Sequence, residues 1–177
     1  MLIGTSPSGE MTPEQKAVHD AIASGPRGSV PLPFLAMLDS PVLCDAIQNV
    51  GEAIRYRTVM DDRLREIAIC AAAAAWGSGY EWGQHDALAV KCGLSPAERA
   101  GVLDGSGAAL APAEAALVAY VFAAVRERRA DQALLGRVAG AFGRNVATEV
   151  TAIAGYYPML ALFLSAGQLD SPLPDVP

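Results

Sequence analysis

The chain reads as long apolar blocks rich in Ala, separated by Pro, Gly and Ser clusters, with no alternating apolar–polar run of the kind a half-buried strand requires. The punctuation is that of helices. Thr12-Pro13-Glu14-Gln15 supplies an N-cap, a Pro at the first helical position and a capping-box Gln, so a helix is expected to about Ala23. Gly25 to Leu32 reads as a Gly/Pro loop. Ser40-Pro41 opens a second helix to about Arg57, and Asp61-Asp62 a third to about Gly77. Gly77-Ser78-Gly79 breaks or bends it, and Tyr80 to Cys92 continues as a fourth, stopped by Gly93. Ser95-Pro96-Ala97-Glu98 is a second capping box, opening a short helix before a Gly105–Ala111 loop. Pro112 to about Arg129, Asp131 to about Phe142 and Asn145 to about Gly167 complete the series, and the Pro-rich tail from Asp170 reads as poorly ordered, like the arm over residues 1–11.

From Val150 to Leu169 no residue is charged, about the span of a bilayer helix. The run also holds Thr151, Gly155, Pro158, Ser165 and Gln168, and acids rather than bases flank it (Glu149, Asp170). That departs from the charge bias of membrane helices, and a helix apolar all round is otherwise buried in a core or shared between subunits. No membrane association is expected. Pro158 should also kink this last helix, because it lacks an amide and crowds the preceding turn.

Composition sharpens the class. The 177 residues fit one domain over the whole chain, and 52% of them are hydrophobic while only 6% are aromatic. Ala favours helix, and sheet-forming residues are sparse, so the fold class is all-α. A net charge of −6 argues against a nucleic-acid partner, whose affinity rests on Lys and Arg contacts to phosphate. The three cysteines, Cys44, Cys70 and Cys92, form no C-x-x-C and are odd in number, so neither a disulfide framework nor a zinc knuckle is indicated. A reducing, cytoplasmic setting fits, and the N-terminal MLIGTSPSGEM lacks the features of a signal peptide.

Against this apolar background the stretch REIAICAAAAAWGSGYEWGQHDALAVKCGL, Arg65 to Leu94, stands out. Glu66 sits at the start of an uncharged Ala-rich helix. Glu81 and His85 are four apart, which places them on one helical face. A carboxylate beside an imidazole orients the ring and favours its charged form, an arrangement suited to acid–base chemistry. The alternatives are an ordinary exposed surface pair for Glu81–His85 and a first-turn acid favoured by the helix dipole for Glu66. Cys70 and Cys92 share faces with Glu66 and His85, either as thiol nucleophiles or as small buried hydrophobes. Tyr80, Trp82, Tyr156 and Tyr157 are amphipathic aromatics suited to a pocket wall or to packing. A metal is not expected, since the Glu-x-x-His pairs of di-iron bundles are absent. No phosphate loop, nucleophile elbow or HExxH occurs.

Together these residues resemble the carboxymuconolactone decarboxylase / alkylhydroperoxidase D superfamily. The resemblance lies in Arg65-Glu66 opening an Ala-rich helix, a polar elbow, and a His nineteen residues after the Glu in a helix ended by Gly93-Leu94-Ser95. It is strongest over about residues 60–103 and extends more weakly to Ser40–Thr58 and to a GYY-type closing helix at Gly155-Tyr156-Tyr157, as in the YEWxxH branch. It implies an AhpD-like bundle of about seven to eight helices, assembled as a homo-oligomer, a trimer or hexamer. In the peroxidase branch two cysteines lie seven and four residues before the His; here those positions hold Ser78 and Glu81. Thiol peroxidase activity is therefore not expected. Glu81 is similar to the acid of the decarboxylase branch, which acts without a cofactor. The resemblance thus implies a lyase acting on a small carboxylated lactone or related acid, with Glu66, Glu81 and His85 catalytic and Tyr80, Trp82, Arg65 and Tyr156 binding the substrate. The alternatives are a non-catalytic oligomeric binding protein of the same fold and residual AhpD-type redox chemistry through Cys70 or Cys92.

Overall fold

A computed structural model of the chain describes residue 3 and residues 11–175; the arm over residues 1–11 lies almost wholly outside the described residues. Among the described residues there are nine α-helices and no strand: α1 Pro13–Ser24, α2 Leu32–Met37, α3 Pro41–Tyr56, α4 Asp62–Trp76, α5 Gly79–Lys91, α6 Pro96–Asp104, α7 Pro112–Glu127, α8 Gln132–Phe142 and α9 Arg144–Ala166. Eight fall where the punctuation places them. The caps are the reason: Thr12 and Ser95 form complete capping boxes with Gln15 and Glu98, and the Asp61, Ser78 and Asp131 side chains accept amide hydrogen bonds at the starts of α4, α5 and α8.

The exception is α2, a six-residue helix just after the expected Gly/Pro loop. Its Pro33 lies in the first turn, where a missing amide costs nothing. Burial of Phe34, Ala36 and Met37 holds it in place.

The chain divides into two compact units. The first comprises Met1–Arg57 and Leu160–Asp170, with α3 packed on α1 and α2. Arg27 fixes the loop before α2: its guanidinium donates to the Gln48 side chain and carbonyl, each at 3.1 Å, and lies 4.9 Å from the Phe34 ring centroid. The second unit comprises Thr58–Met159 and Ser171–Pro177. Its centre is α4, which packs on α5, α6 and α7, while α8 packs on α7. Every residue of α4 from Glu66 to Ala74 is buried, so the Ala block that gives the helix its propensity also lets its neighbours approach closely. Arg63 joins three helices: Nε donates to Glu114 of α7 at 2.8 Å and Nη2 to Glu98 of α6 at 2.6 Å. Glu149 of α9 accepts from the Val59 and Met60 amides at 3.0 and 3.1 Å, fixing the approach to α4.

The uncharged run forms α9, which stays helical through Pro158. It is long and apolar enough to cross a membrane, but half of its most apolar stretch is buried against the protein itself. Val150, Ile153, Leu160 and Leu164 form the buried stripe.

Candidate active site

The site is built on α4, the elbow and α5. Gly77 ends α4 with a φ of 97°, a left-handed conformation that glycine adopts without a Cβ penalty. Ser78 follows as the N-cap of α5, fully buried, its Oγ accepting from the Glu81 amide at 3.4 Å. Gly79 then donates its amide to the Ser171 carbonyl at 2.8 Å. A Cβ on Gly79 would lie 2.0 Å from the Pro172 carbonyl oxygen, so the tail segment can run across the start of α5 only because position 79 carries no side chain. The elbow thus sets the angle at which α5 leaves α4 and lays its Glu81–His85 face inward.

Glu66, Glu81 and His85 are 3%, 3% and 4% exposed, which removes the surface-pair reading of Glu81–His85, and α4 starts at Asp62, which puts Glu66 beyond its first turn. His85 Nδ1 lies 2.6 Å from Glu66 Oε2, a short charge-assisted contact joining α5 to α4. With Nδ1–H given to the carboxylate, a proton taken up or released by the ring moves at its other nitrogen, Nε2. Glu66 is also braced from its own helix. Arg65 Nε sits 3.7 Å from Oε1, while the same guanidinium reaches Asp62 Oδ1 at 2.5 Å and the Met60 carbonyl at 3.4 Å. The carboxylate therefore lies between a guanidinium and an imidazole, the condition under which a buried charge is tolerated.

Of the residues expected to line a pocket, Trp82 and Tyr156 are buried and Tyr80 is half-buried, while the Arg65 guanidinium is engaged by Asp62 and the Met60 carbonyl. Tyr157 is the aromatic that meets His85, edge to face with ring centroids 5.1 Å apart, and it stacks in the same manner on Tyr156 at 5.5 Å. The Tyr-Tyr pair alone does not say which ring faces the histidine. The phase of α9 decides that, and its stretch from Val150 onward carries no charged residue from which to read it.

The three thiols are free and poorly suited to nucleophilic work. Burial, reinforced by the neighbouring Glu66 charge, pushes Cys70 well above the usual thiol range. Burial raises Cys44 to about 11, with the Asp45 charge adding to it. Cys92 is also raised, by burial and then by the Glu66 and Asp62 charges. The carboxylate that suits a cation at His85 thus opposes a thiolate at Cys70, one turn along the same helix. Among the described residues no group of three or more His, Cys, Asp or Glu side chains is placed to hold a metal ion.

No protein-family model matches the chain, and no curated protein matches it in sequence. Its structure is similar to that of the debrominase Bmp8. A cysteine-to-alanine variant of Bmp8 in complex with 2,3,4-tribromopyrrole matches with a TM-score of 0.74 and 18% identity, over 95% of this chain and 89% of that one. Apo Bmp8 matches with a TM-score of 0.70 and 18% identity, over 99% and 93%. The chain therefore has an all-α helical-bundle fold shared along nearly its whole length with a debrominase.

Proposed function

We propose that this protein is an enzyme that moves a proton on a small organic acid without a cofactor, with Glu66 and His85 as its acid–base pair. The observation that carries the reading is the 2.6 Å contact between two buried groups, His85 Nδ1 and Glu66 Oε2, on different helices. A pair of this kind, sequestered among apolar helices, has a stability cost that an ordinary core does not incur, and such sites are where acid–base chemistry is done.

Decarboxylation of a small carboxylated lactone or related acid is the reaction class best matched to these groups. The bond to the carboxylate carbon breaks, CO2 leaves, and the electron pair stays on the substrate as an enolate or dienolate. The imidazolium of His85 supplies the one proton that this carbanion needs, from Nε2. Glu66 holds the ring at Nδ1 and stabilises its charged form before the transfer; water restores the proton afterwards. Glu81, buried on the same face of α5, is a second acid within the set, and Tyr80, Trp82 and Tyr156 are assigned to the walls. The internal contacts of Arg65 suit it to holding Glu66 in place. Likeness to a debrominase supports an enzyme of this fold. Reduction through a thiol is disfavoured here, because all three cysteines are shifted away from the thiolate form. The proposal includes assembly as a homo-oligomer.

The reading is tested by offering carboxylated lactones and β-keto acids to the purified protein in D2O and following CO2 and product. The expected product carries one solvent deuterium on a carbon of the former enolate or dienolate, either the one that lost CO2 or the one conjugated with it. Absence of CO2 release from the whole panel, or robust thiol-dependent consumption of a hydroperoxide, contradicts it.

A further inference from the structure

A second site is lined by none of Glu66, Glu81 and His85. It is an open groove of about 320 Å³ in the second unit, between the end of α7 and the middle of α9, with Trp76 at its wall. The volume is within the range of small-molecule sites.

Three locally unfavourable choices converge on this groove. Arg128 ends α7 in a left-handed conformation, φ 58°, where glycine is the favoured residue. Gly155 sits inside α9, where it weakens the helix, yet a Cβ built there would meet nothing within 4 Å. Packing therefore does not demand the glycine; its missing side chain leaves the groove open. Pro158, one turn later, has no amide to give to the Ala154 carbonyl, and both residues line the groove. Departures from local rules that cluster in one place mark function more often than accident.

The lining chemistry names the ligand. Trp76 is 40% exposed, an aromatic face left to solvent in a protein with few aromatics. Val125, Ala154 and Gly155 give the groove apolar lining. Two arginines are among the lining residues: Arg128, and Arg129, whose exposed pairing with Glu127 at 2.9 Å is weak enough to exchange. In a chain of net charge −6, two adjacent arginines and an exposed indole lining one groove complement an aromatic anion. We propose that the groove binds a small planar aromatic carboxylate, with the ring against Trp76 and over Gly155 and the carboxylate on Arg128, assisted by Arg129.

The chain has two tryptophans, Trp76 and Trp82, so their indole N–H signals report the two sites separately. Titrating the full-length protein with benzoate should move the Trp76 signal saturably and leave that of Trp82, beside the proposed active site, in place. Benzamide, the uncharged counterpart, should bind at least tenfold more weakly. Arg128→Gly relieves the left-handed strain, so its melting temperature should be held or raised while benzoate affinity falls at least tenfold. Gly155→Leu fills the groove and should do the same to binding. The proposal is overturned by an unmoved Trp76 signal, by equal affinity for benzamide, by an Arg128→Gly variant that binds as before, or by self-association that shields Trp76 from a soluble quencher. Each of these outcomes leaves the Glu66–His85 reading untouched, since that reading is scored on CO2 release.

Discussion

Glu66 and His85 carry the account, and their burial makes their removal visible in stability as well as in activity. Glu66→Ala leaves the imidazole and the Arg65 guanidinium without their shared carboxylate. Loss of one partner of a buried pair costs about 3–5 kcal/mol, so urea denaturation should show a fall of that order. Glu66→Gln keeps the shape and should cost less. The thiols should behave as inert core groups. At pH 7 a thiol reagent should modify Cys92 slowly and leave Cys44 and Cys70 untouched until the protein unfolds, because burial raises all three and the Glu66 charge adds to it at Cys70 and Cys92. Rapid labelling of native Cys70, followed by mass spectrometry, contradicts this. The sequence makes the spacing of Glu66, Glu81 and His85 visible, together with the substitution of Ser78 and Glu81 for a thiol pair. Which carboxylate sits on Nδ1 is not visible there. The four-residue spacing of Glu81 and His85 fixes only a shared face, whereas the packing of α4 on α5 brings Glu66 to the ring from nineteen residues away.

Helix ends do the positioning, and two of them yield measurable consequences. Glu98 closes the capping box of α6 and accepts from Arg63 of α4. Hydrogen bonds from the Ser95 amide and hydroxyl, then from Arg63, hold its carboxyl down at about 2, against 4.5 for an unperturbed Glu. A carboxyl lowered by folding contributes stability above its unfolded value and loses it as the pH falls through its folded one. Glu98→Ala should therefore cost about 1–2 kcal/mol at neutral pH, the range for a lost cap. Denaturation from pH 6 down to pH 2 should show the difference from wild type shrinking below about pH 4.5. The second is the elbow. Gly79→Ala drives a Cβ into the Pro172 carbonyl, so the tail must lift or α5 must shift, a strain of about 1–3 kcal/mol. Deleting residues 171–177 should remove most of that penalty, and a penalty unchanged by the deletion contradicts the tail's role. Capping boxes and Gly stops were legible because they act within three or four residues. The short helix α2 was not, because tertiary burial of Phe34 and Met37, rather than its own length, stabilises it. The hold of Ser171 on Gly79 joins positions 92 apart and leaves no local trace in the sequence.

The whole molecule is an acidic, apolar helical protein whose fold is shared with a debrominase, while two of its own thiols are buried and the third, Cys92, is half-buried. The homo-oligomer proposed here has surface to draw on: Val42, Leu43 and Val50 of α3 and Leu162 of α9 are large apolar side chains left exposed, Val42 at 86%. Light scattering after size exclusion should give a multiple of 18.3 kDa, and a monomer at all concentrations contradicts that proposal. Helix α9, uncharged from Val150 onward, has half of its most apolar stretch buried inside the protein. A Glu-braced imidazole in a bundle of this size, with all three thiols raised above the usual range, suits the proton transfer proposed for it, and the proposal reduces to one comparison. On the acid that the wild-type protein turns over, the initial rate of His85→Ala, measured on protein shown by circular dichroism and thermal melting to be folded, should fall at least about 100-fold, the lower bound for removing a general acid. A His85→Ala rate within about threefold of wild type contradicts the account, since no catalyst that depends on a general acid survives its removal so nearly intact.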